Sequence, residues 1–399
     1  MFTTLIAKDK RTATLTAAAL RKCTTVKECQ ELLKDRESLA SAAGIEEGRV
    51  SLASINYAVW SDVFICPECG SDFVFWDHAV DTNDWQVKEQ FSCPKCAAVL
   101  TKDLSEVAKT LLFDPKLGTT ISQTKSVPVL IHYKGPTGKH PKPADDFDLA
   151  LIEKIQELNF GWDYPSDRMT DGDEARRNDP YGITHVHHFY TKRNLLVLAY
   201  YSACMGPSRN YVNITSIANV ATRMYRFRSQ NGSLGAGGGP LSGTLYIPSL
   251  IKEIPVSKML PEHIKKTAEL KGFLGVARSG FIQTTSSTDL SVLPSNSLDY
   301  LFIDPPFGGN LMYAELNFIW EAWLRVLTCR AEEAVTDKSQ EKDLAVYQKL
   351  LLLCFKEFYR ILKPGRWMTV EFSNSQASVW NVIQTTLQEA GFVVVIDQP

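Results

Sequence analysis

An α/β fold built around a mainly parallel sheet is the architecture that this sequence predicts, and the second half of the chain carries the evidence. Short apolar strands alternate there with longer helical stretches, from the strand SLDYLFID to the strand WMTVEF. The turn Lys363-Pro364-Gly365 separates the second helix from the strand after it, and Gly391 ends the last helix. Strands that are connected through helices form right-handed crossovers, which give parallel neighbours.

Composition places the chain among globular proteins and excludes several other classes. The 399 residues are 44% hydrophobic and 22% charged, and their formal net charge is -2. No apolar run is long enough to predict a membrane helix, and the N-terminus lacks the apolar core of a secretory signal. Because the net charge is small, any contact with a nucleic acid has to come from local basic patches.

Nine cysteines are present, and four of them form two CPxC pairs. Cys66 and Cys69 form the first pair, and Cys93 and Cys96 form the second. Two such knuckles can hold one metal ion in a tetrahedral cage of four thiolates, for which zinc is the usual ion. The sequence therefore predicts structural zinc in a reduced, cytoplasmic protein, with four free thiols as the alternative.

The tetrapeptide Asp304-Pro305-Pro306-Phe307 follows the apolar strand directly, at the sheet edge where open α/β sheets bind ligands. Its two prolines lack N–H donors but keep their carbonyls, and the two glycines that follow let a ligand approach closely. A carboxylate and a carbonyl can together hold an exocyclic amino group, and an aromatic ring can stack on a flipped base. This set favours methylation of an adenine or cytosine amino group, with a plain acidic turn as the alternative.

The segments SLDYLFIDPPF and EFYRILKPGRWMTVEF resemble the catalytic strand, loop, helix and turn of amino-group DNA methyltransferases, which act on adenine N6 or cytosine N4. The resemblance covers residues 281–396. The whole chain resembles large bacterial DNA methylases with an inserted zinc ribbon, through stretches such as INYAVWSDVFICPECG, GITHVHHFYTKRNLLVLA and PLSGTLYIPSL. It implies a Rossmann-like core, S-adenosylmethionine as the methyl donor, double-stranded DNA as the substrate and residues 304–307 as the target-base residues. A restriction-modification setting is also implied.

These patterns divide the chain into four predicted segments. They are a helical N-terminal segment at residues 1–53, a zinc ribbon at 54–105, a linker or DNA-recognition insertion at 106–180, and an incomplete methyltransferase domain at 181–399. The stretch KGPTGKHPKP favours an extended connection in the third segment. The ribbon could help to read DNA or could only staple the insertion, and no residue pattern decides between the two.

Methyltransferases of this fold bind their cofactor at a glycine-rich loop of the form D-x-F-x-G-x-G, which the sequence does not contain. The glycine cluster at 235–239 follows no apolar strand, so we expect it to be a mobile or DNA-facing loop. By the resemblance, the cofactor loop would lie upstream of Met1, or a partner subunit would supply it. Asp289, Ser287 and Arg193 are weak candidates for cofactor contacts.

Basic and aromatic residues alternate around Arg223, Arg226 and Arg228, with Tyr225 and Phe227 between them. Such a stretch suits contact with DNA phosphates and bases. The alternative is an amphipathic element with one solvated face. We therefore treat the three arginines as weak DNA-binding candidates.

Two smaller groups of polar residues stay open at this point. His185, His187 and His188 cluster before a helix, but no acidic or cysteine partner has a spacing that predicts a metal site. Glu315 and Asn317 follow the catalytic motif and either line its pocket or lie on a helix surface.

The enzyme hypothesis has two rivals. A non-catalytic DNA-binding or specificity subunit, or a partial methylase that needs a partner, would explain the missing cofactor loop. Methylation of RNA is a weaker possibility. The recognised DNA site, the choice between adenine and cytosine, and the oligomeric state are not predicted by the sequence.

Overall fold

The computed structural model of the chain describes residues 1–157, 160–205, 211–228, 234–235, 237–274 and 283–395. Its strands are β1 (Thr3–Ala7), β2 (Val50–Ile65), β3 (Asp72–Val74), β4 (Phe91–Ser92), β5 (Val99–Leu100), β6 (Glu106–Val107), β7 (Lys109–Asp114), β8 (Thr119–Thr124), β9 (Ser126–Gly135), β10 (Gly138–Pro143), β11 (Arg226–Phe227), β12 (Gly238–Gly239), β13 (Leu250–Glu253), β14 (Leu298–Ile303) and β15 (Leu362–Val370). Its α-helices are α1 (Lys10–Lys22), α2 (Val26–Leu32), α3 (Arg36–Ala43), α4 (Phe75–Ala79), α5 (Asp146–Glu157), α6 (Asp173–Arg176), α7 (Lys192–Met205), α8 (Tyr211–Ala218), α9 (Val256–Leu274), α10 (Tyr313–Leu316), α11 (Phe318–Leu324), α12 (Leu344–Ile361) and α13 (Ala377–Glu389).

The chain forms two compact units. The first comprises Met1–Arg168, Arg177–Phe273 and Ala322–Leu324, and the second comprises Met169–Arg176, Leu274–Glu321 and Arg325–Pro399. The three predicted segments up to residue 180 thus lie in the first unit, apart from residues 169–176. The predicted methyltransferase segment, 181–399, is divided between the two units.

The main sheet belongs to the first unit and is antiparallel. Its strand order is β10-β9-β2-β13-β11-β12, and β1, β3 and β6 also pair with β2. Every printed pairing within this sheet is antiparallel, so the α/β class is confirmed but the expected mainly parallel arrangement is wrong for the main sheet. Strands 50–143 are joined by short turns rather than by helices, and a short turn can connect only antiparallel neighbours.

The length of β2 explains why this sheet was not predicted. β2 runs for 16 residues, through the segment expected to hold only short strands around a metal. Aromatic and β-branched residues along it suit a buried strand, and Ile55 to Val59 are buried. The stretch KGPTGKHPKP also differs from the expected linker. It forms the β9–β10 hairpin, whose register pairs Gly135 with Gly138.

Helices at the N-terminus pack together as the composition predicts. α1, α2 and α3 share one apolar core with β1 and α5, and its buried members include Leu20, Leu39 and Phe147. Gly44 ends α3 in the left-handed conformation, with φ of 65°, which confirms the predicted helix end.

The second unit contains the parallel pair of strands that the sequence predicts. β14 and β15 are parallel, and α12 and α13 cover them with a core that includes Tyr347, Phe355 and Ile383. Gly391 ends α13 with φ of 106°, as expected. The stretch FVVVI was expected to be a strand, but residues 392–395 form none and residue 396 lies outside the described residues.

Candidate functional site

The DPPF loop, residues 304–307, follows the last residue of β14, as the sequence predicts. Ile303 pairs with Val370 of β15, and its carbonyl accepts a hydrogen bond from the Glu371 N–H at 2.9 Å. The loop therefore starts from a strand whose end is fixed by the neighbouring strand. It lies at the carboxyl edge of the parallel pair, the edge at which open α/β sheets bind ligands.

Two carbonyls of the DPPF loop are held by side chains from elsewhere in the second unit. The Tyr347 hydroxyl donates to the Pro306 carbonyl at 2.7 Å, and the Asn374 amide donates to the Phe307 carbonyl at 2.8 Å. Asn374 is itself fixed, because its Oδ1 accepts from the Gln376 N–H at 2.7 Å. The sequence analysis missed Tyr347 and Asn374. Each is fixed by a distant pairing that no local motif reports.

Two other acceptors of the loop remain available to a ligand. Asp304 is exposed, and in the described part of the chain neither its carboxylate nor the Pro305 carbonyl receives a protein hydrogen bond. Burial raises the pKa of Tyr313, and the negative charge of Asp304 raises it further, which places that phenol close to the carboxylate. Tyr313 is therefore a third polar group beside the two acceptors.

A cavity of about 490 Å³ adjoins the loop within the second unit. Neutral polar side chains and backbone dominate its walls. It is lined by Gly309, Asn310, Thr336, Leu344, Ser373, Asn374, Ser375, Gln376, Ser378 and Val379. A Cβ atom on Gly309 would lie 2.8 Å from the Thr336 hydroxyl, so glycine is required for the loop to pass this wall. The lining can bind a ligand that offers hydrogen-bonding edges.

The ring of Phe307 has a fixed orientation. It packs edge-to-face against Phe372 with 5.2 Å between ring centroids, and Phe372 packs in the same way against Trp380 at 5.1 Å. The Trp380 indole donates to the Asn374 carbonyl at 2.7 Å. Phe307 is half-buried, so part of its ring stays accessible for stacking.

Glu315 was a candidate for the pocket wall, and the structure gives it another position. It is buried, and its carboxylate accepts from the Ala175 N–H at 2.8 Å, so it binds the backbone of α6. Burial raises its pKa. Gly172 is tightly packed there, because a Cβ on it would lie 2.0 Å from the Glu315 carboxyl carbon. Asn317 ends α10 and is not among the cavity residues.

The three weak cofactor candidates do not form a common site. Arg193 lies in the first unit, where it is buried and ion-paired with Glu253. Asp289 is exposed and accepts from the Ser291 N–H at 2.9 Å, and Ser287 lies two residues before it. None of the three lines the cavity beside the DPPF loop.

The glycine cluster also differs from the expected loop. Gly238 and Gly239 form β12 at the edge of the main sheet, paired with β11. A Cβ on Gly238 would lie 2.1 Å from the Arg226 carbonyl, so close pairing explains this glycine. Residue 236 lies outside the described residues. The described part of the cluster is an edge strand and not a cofactor loop.

Cys66, Cys69, Cys93 and Cys96 come together as predicted. Their Sγ atoms all lie within 4.8 Å of one another, and the pairs 66–96 and 69–93 are each 3.7 Å apart. A tetrahedral zinc ion with Zn–S bonds of about 2.3 Å requires sulfur atoms about 3.8 Å apart. The cluster can therefore hold a metal such as zinc without rearrangement.

Local turns prepare these thiols for a metal ion. Each knuckle closes with a backbone hydrogen bond, from Gly70 to Cys66 at 2.9 Å and from Ala97 to Cys93 at 3.0 Å. Hydrogen bonds from the backbone N–H groups of Cys96 and Lys95 lower the pKa of the Cys93 thiol to about 6. A lowered pKa favours the thiolate, which is the form that binds metal.

The histidine cluster has an acidic partner that the sequence did not reveal. His187 and His188 each place Nε2 on the same oxygen of Asp114, at 2.7 and 2.8 Å, and all three residues are buried. The carboxylate also accepts from the backbone N–H groups of Lys116 and Leu117. Burial would raise the pKa of Asp114, but these hydrogen bonds hold it well below its ordinary value.

Tautomer geometry favours a hydrogen-bonded cluster over a metal site at this position. The Thr184 N–H donates to Nδ1 of His188 at 3.2 Å, so the neutral ring carries its proton on Nε2. That nitrogen then donates to Asp114 and has no lone pair for a metal. Burial lowers the pKa of His188 to about 4, which keeps the ring neutral.

The basic and aromatic stretch does not form a single basic face. Arg223 lines a cavity in the first unit, and Arg226 donates from Nε to the Gly239 carbonyl at 3.1 Å. Arg228 is exposed. Of the three DNA-binding candidates, Arg228 alone has a fully exposed environment.

Comparison of the chain with protein-family models, with curated proteins and with solved structures finds no match in any of the three. Within the residues that the structure describes, no helix combines the length and the apolar character needed to cross a bilayer.

Proposed function

We propose that this chain is the amino-acceptor part of a DNA methyltransferase that acts on adenine N6 or cytosine N4. The observation that carries the proposal is the DPPF loop at the carboxyl edge of two parallel strands. Asp304 and Pro305 offer two acceptors there, and the following carbonyls are anchored by Tyr347 and Asn374. A rigid pair of acceptors beside a cavity is what an exocyclic amino group requires.

The acceptors would act on the electrons of the amino group. An exocyclic NH₂ is a poor nucleophile, because its lone pair is delocalised into the ring. Hydrogen bonds from its two N–H groups to the Asp304 carboxylate and the Pro305 carbonyl would turn the lone pair out of that conjugation. Phe307 would stack on the flipped base and set its plane. The amino nitrogen would attack a methyl group directly, without a covalent intermediate on the protein.

The described residues do not by themselves fit the whole methyl donor, S-adenosylmethionine. The cavity beside the loop has no carboxylate among its lining residues that could hold ribose hydroxyls. No glycine-rich cofactor loop follows a strand in the described part of the chain. We therefore assign the cavity to the acceptor base, and we propose that a partner subunit completes the donor site. A Rossmann-like core would then be shared between two chains.

Partner and cellular setting follow from the same proposal. Double-stranded DNA would be the substrate, and the enzyme would act in the cytoplasm as part of a restriction-modification system. The ribbon would contain a structural zinc ion, because its four sulfur atoms form a closed cage with no open position for a reactant.

One observation favours the rival function, a non-catalytic DNA-binding subunit. The parallel sheet of the second unit has two strands among the described residues, which is fewer than an open α/β sheet that binds a nucleotide uses. A partial methylase that needs a partner and a DNA-binding subunit share this feature. They differ in whether Asp304 engages a target base.

Base engagement can be tested with the chain alone. A DNA duplex library with 2-aminopurine at adenine positions should become more fluorescent on binding, because a flipped base loses its stacking partners. Asp304→Ala should abolish the increase. Asp299→Ala is the matched control, because Asp299 lies on the same strand but is exposed and paired with Lys363. Binding without any fluorescence change in the unmodified chain would favour the DNA-binding subunit.

A further inference from the structure

A second cavity of about 540 Å³ lies in the first unit, on the main sheet and away from the DPPF loop in sequence. This volume is within the range of small-ligand pockets. Asp62 and Phe64 of β2 and Ser126 of β9 line it, and Asp62 pairs with Ser126 in the strand register. Arg223, Lys102 and other polar groups complete the lining. The proposed methyl transfer uses none of these residues.

Arg223 is the cation that this cavity encloses. Its guanidinium donates to the neutral Gln123 side chain at 3.1 Å, and in the described part of the chain it forms no ion pair. Of the two carboxylates that act on it, Glu253 is already ion-paired with Arg193. Burial lowers the pKa of Arg223. An enclosed guanidinium with spare donors is stabilised when an anion pairs with it.

The remaining charges make the cavity positive. Lys102 and Arg177 also line it, and both lie near Tyr246, whose hydroxyl accepts from the Lys102 amine at 3.2 Å. Two carboxylates, Asp62 and Asp103, face these three cations. Burial raises the pKa of Asp62 to about 7, so its negative charge is incomplete at neutral pH. The balance favours a ligand with more than one negative charge.

A buried hydroxyl gives an independent indication of a ligand. The Ser126 Oγ is inaccessible to solvent and has no hydrogen-bond partner in the described part of the chain. A buried polar group without a partner costs about 1–3 kcal/mol. Such groups are rare in native proteins and are explained when a ligand supplies the partner.

We propose that this cavity binds a small phosphorylated molecule of nucleoside-monophosphate size, with Arg223 and the Ser126 hydroxyl as donors to the phosphate. Arginine suits this ligand, because its planar fork can donate two parallel hydrogen bonds to phosphate oxygens. A phosphate monoester carries about two negative charges at neutral pH, which matches the excess of cations better than a single carboxylate does.

Calorimetric titration of the full chain with adenosine monophosphate, adenosine and a short DNA duplex tests the proposal. Adenosine monophosphate should bind, and adenosine should bind at least tenfold more weakly. Arg223→Gln should lose at least tenfold in affinity. Arg226→Gln is the matched control and should keep full affinity, because Arg226 binds a backbone carbonyl and does not line the cavity.

Ser126→Ala covers the case in which Arg223→Gln fails to fold. It should bind adenosine monophosphate several-fold more weakly, and its melting temperature without ligand should be unchanged or higher, because it removes an unpaired buried hydroxyl. Equal affinity of adenosine and its monophosphate would overturn the proposal. So would unchanged affinity in Ser126→Ala, or the absence of binding at millimolar ligand. Displacement of the monophosphate by the duplex would overturn it in favour of a DNA-backbone site.

Discussion

Replacing Tyr347 with phenylalanine removes one oxygen atom from the support of the DPPF loop. The hydroxyl donates to the Pro306 carbonyl at 2.7 Å, and the side chain is fully buried. Burial raises the pKa of this phenol to about 12, so it is a protonated donor at neutral pH. The ring keeps its packing, so the loss is that of the hydrogen bond and of an unpaired carbonyl. We expect the free energy of unfolding to fall by about 1–3 kcal/mol.

Urea unfolding measures this change, with hydrogen exchange of α12 peptides reporting on the second unit. Tyr359→Phe is the matched control, because Tyr359 lies on the same helix, is 52% exposed and packs its ring against Phe392. The control should cost less than about 0.5 kcal/mol. The reasoning is refuted if Tyr347→Phe is no more destabilising than Tyr359→Phe. The same variant should also weaken the 2-aminopurine signal, since the loop would lose one of its anchors.

Three further predictions follow from the two units. Native mass spectrometry should find one zinc ion per chain, and chelation should unfold the ribbon, because β3, β4 and β5 have only two or three residues each. The first unit should lose about 3 kcal/mol of stability as the pH falls from about 6.5 to about 4, because His188 has a folded pKa of about 4 and the unfolded chain binds the proton first. Urea titrations of the chain and of His188→Asn measure this. Gly172→Ala should lower the melting temperature, because its Cβ would meet the Glu315 carboxyl group at 2.0 Å.

Each of these predictions has a contradicting result. Less than one zinc ion per several chains, or a ribbon unchanged by chelation, would show that the four thiols are free. Acid sensitivity that is equal in the chain and in His188→Asn would remove this histidine as its source. For the glycine, Gly48→Ala is the control, since a Cβ there meets no atom within 4 Å. Equal melting temperatures for the two alanine variants would contradict the packing argument.

Local patterns in the sequence were sufficient for the cysteine cage and for the second unit. The CPxC spacing already fixes two thiolates in each knuckle, so only the meeting of the knuckles depends on the fold. The strand before Asp304, the helix α12 and the strand β15 follow from hydrophobic periodicity. Glycines at 44 and 391 mark helix ends, because each adopts a positive φ that other residues avoid.

Features that depend on distant pairing could not be predicted. The main sheet is organised by β2, whose partners lie before and after it along the chain. Asp114 is 73 residues from His187, and Tyr347 is 41 residues from the carbonyl that it holds. Arg223 was assigned to a basic patch, because its composition says nothing of the cavity that encloses it. In each case the tertiary fold decides the environment of the side chain.

Methyl transfer by the assembled enzyme tests the central proposal most directly. The measurement is incorporation of a labelled methyl group from S-adenosylmethionine into DNA, with the chain reconstituted with the protein encoded beside it. Asp304→Ala should lower the rate by about 10²–10³, the loss expected for one positioned electrostatic group, while Asp299→Ala should keep the full rate. An Asp304→Ala enzyme that methylates DNA at the unmodified rate would contradict the account.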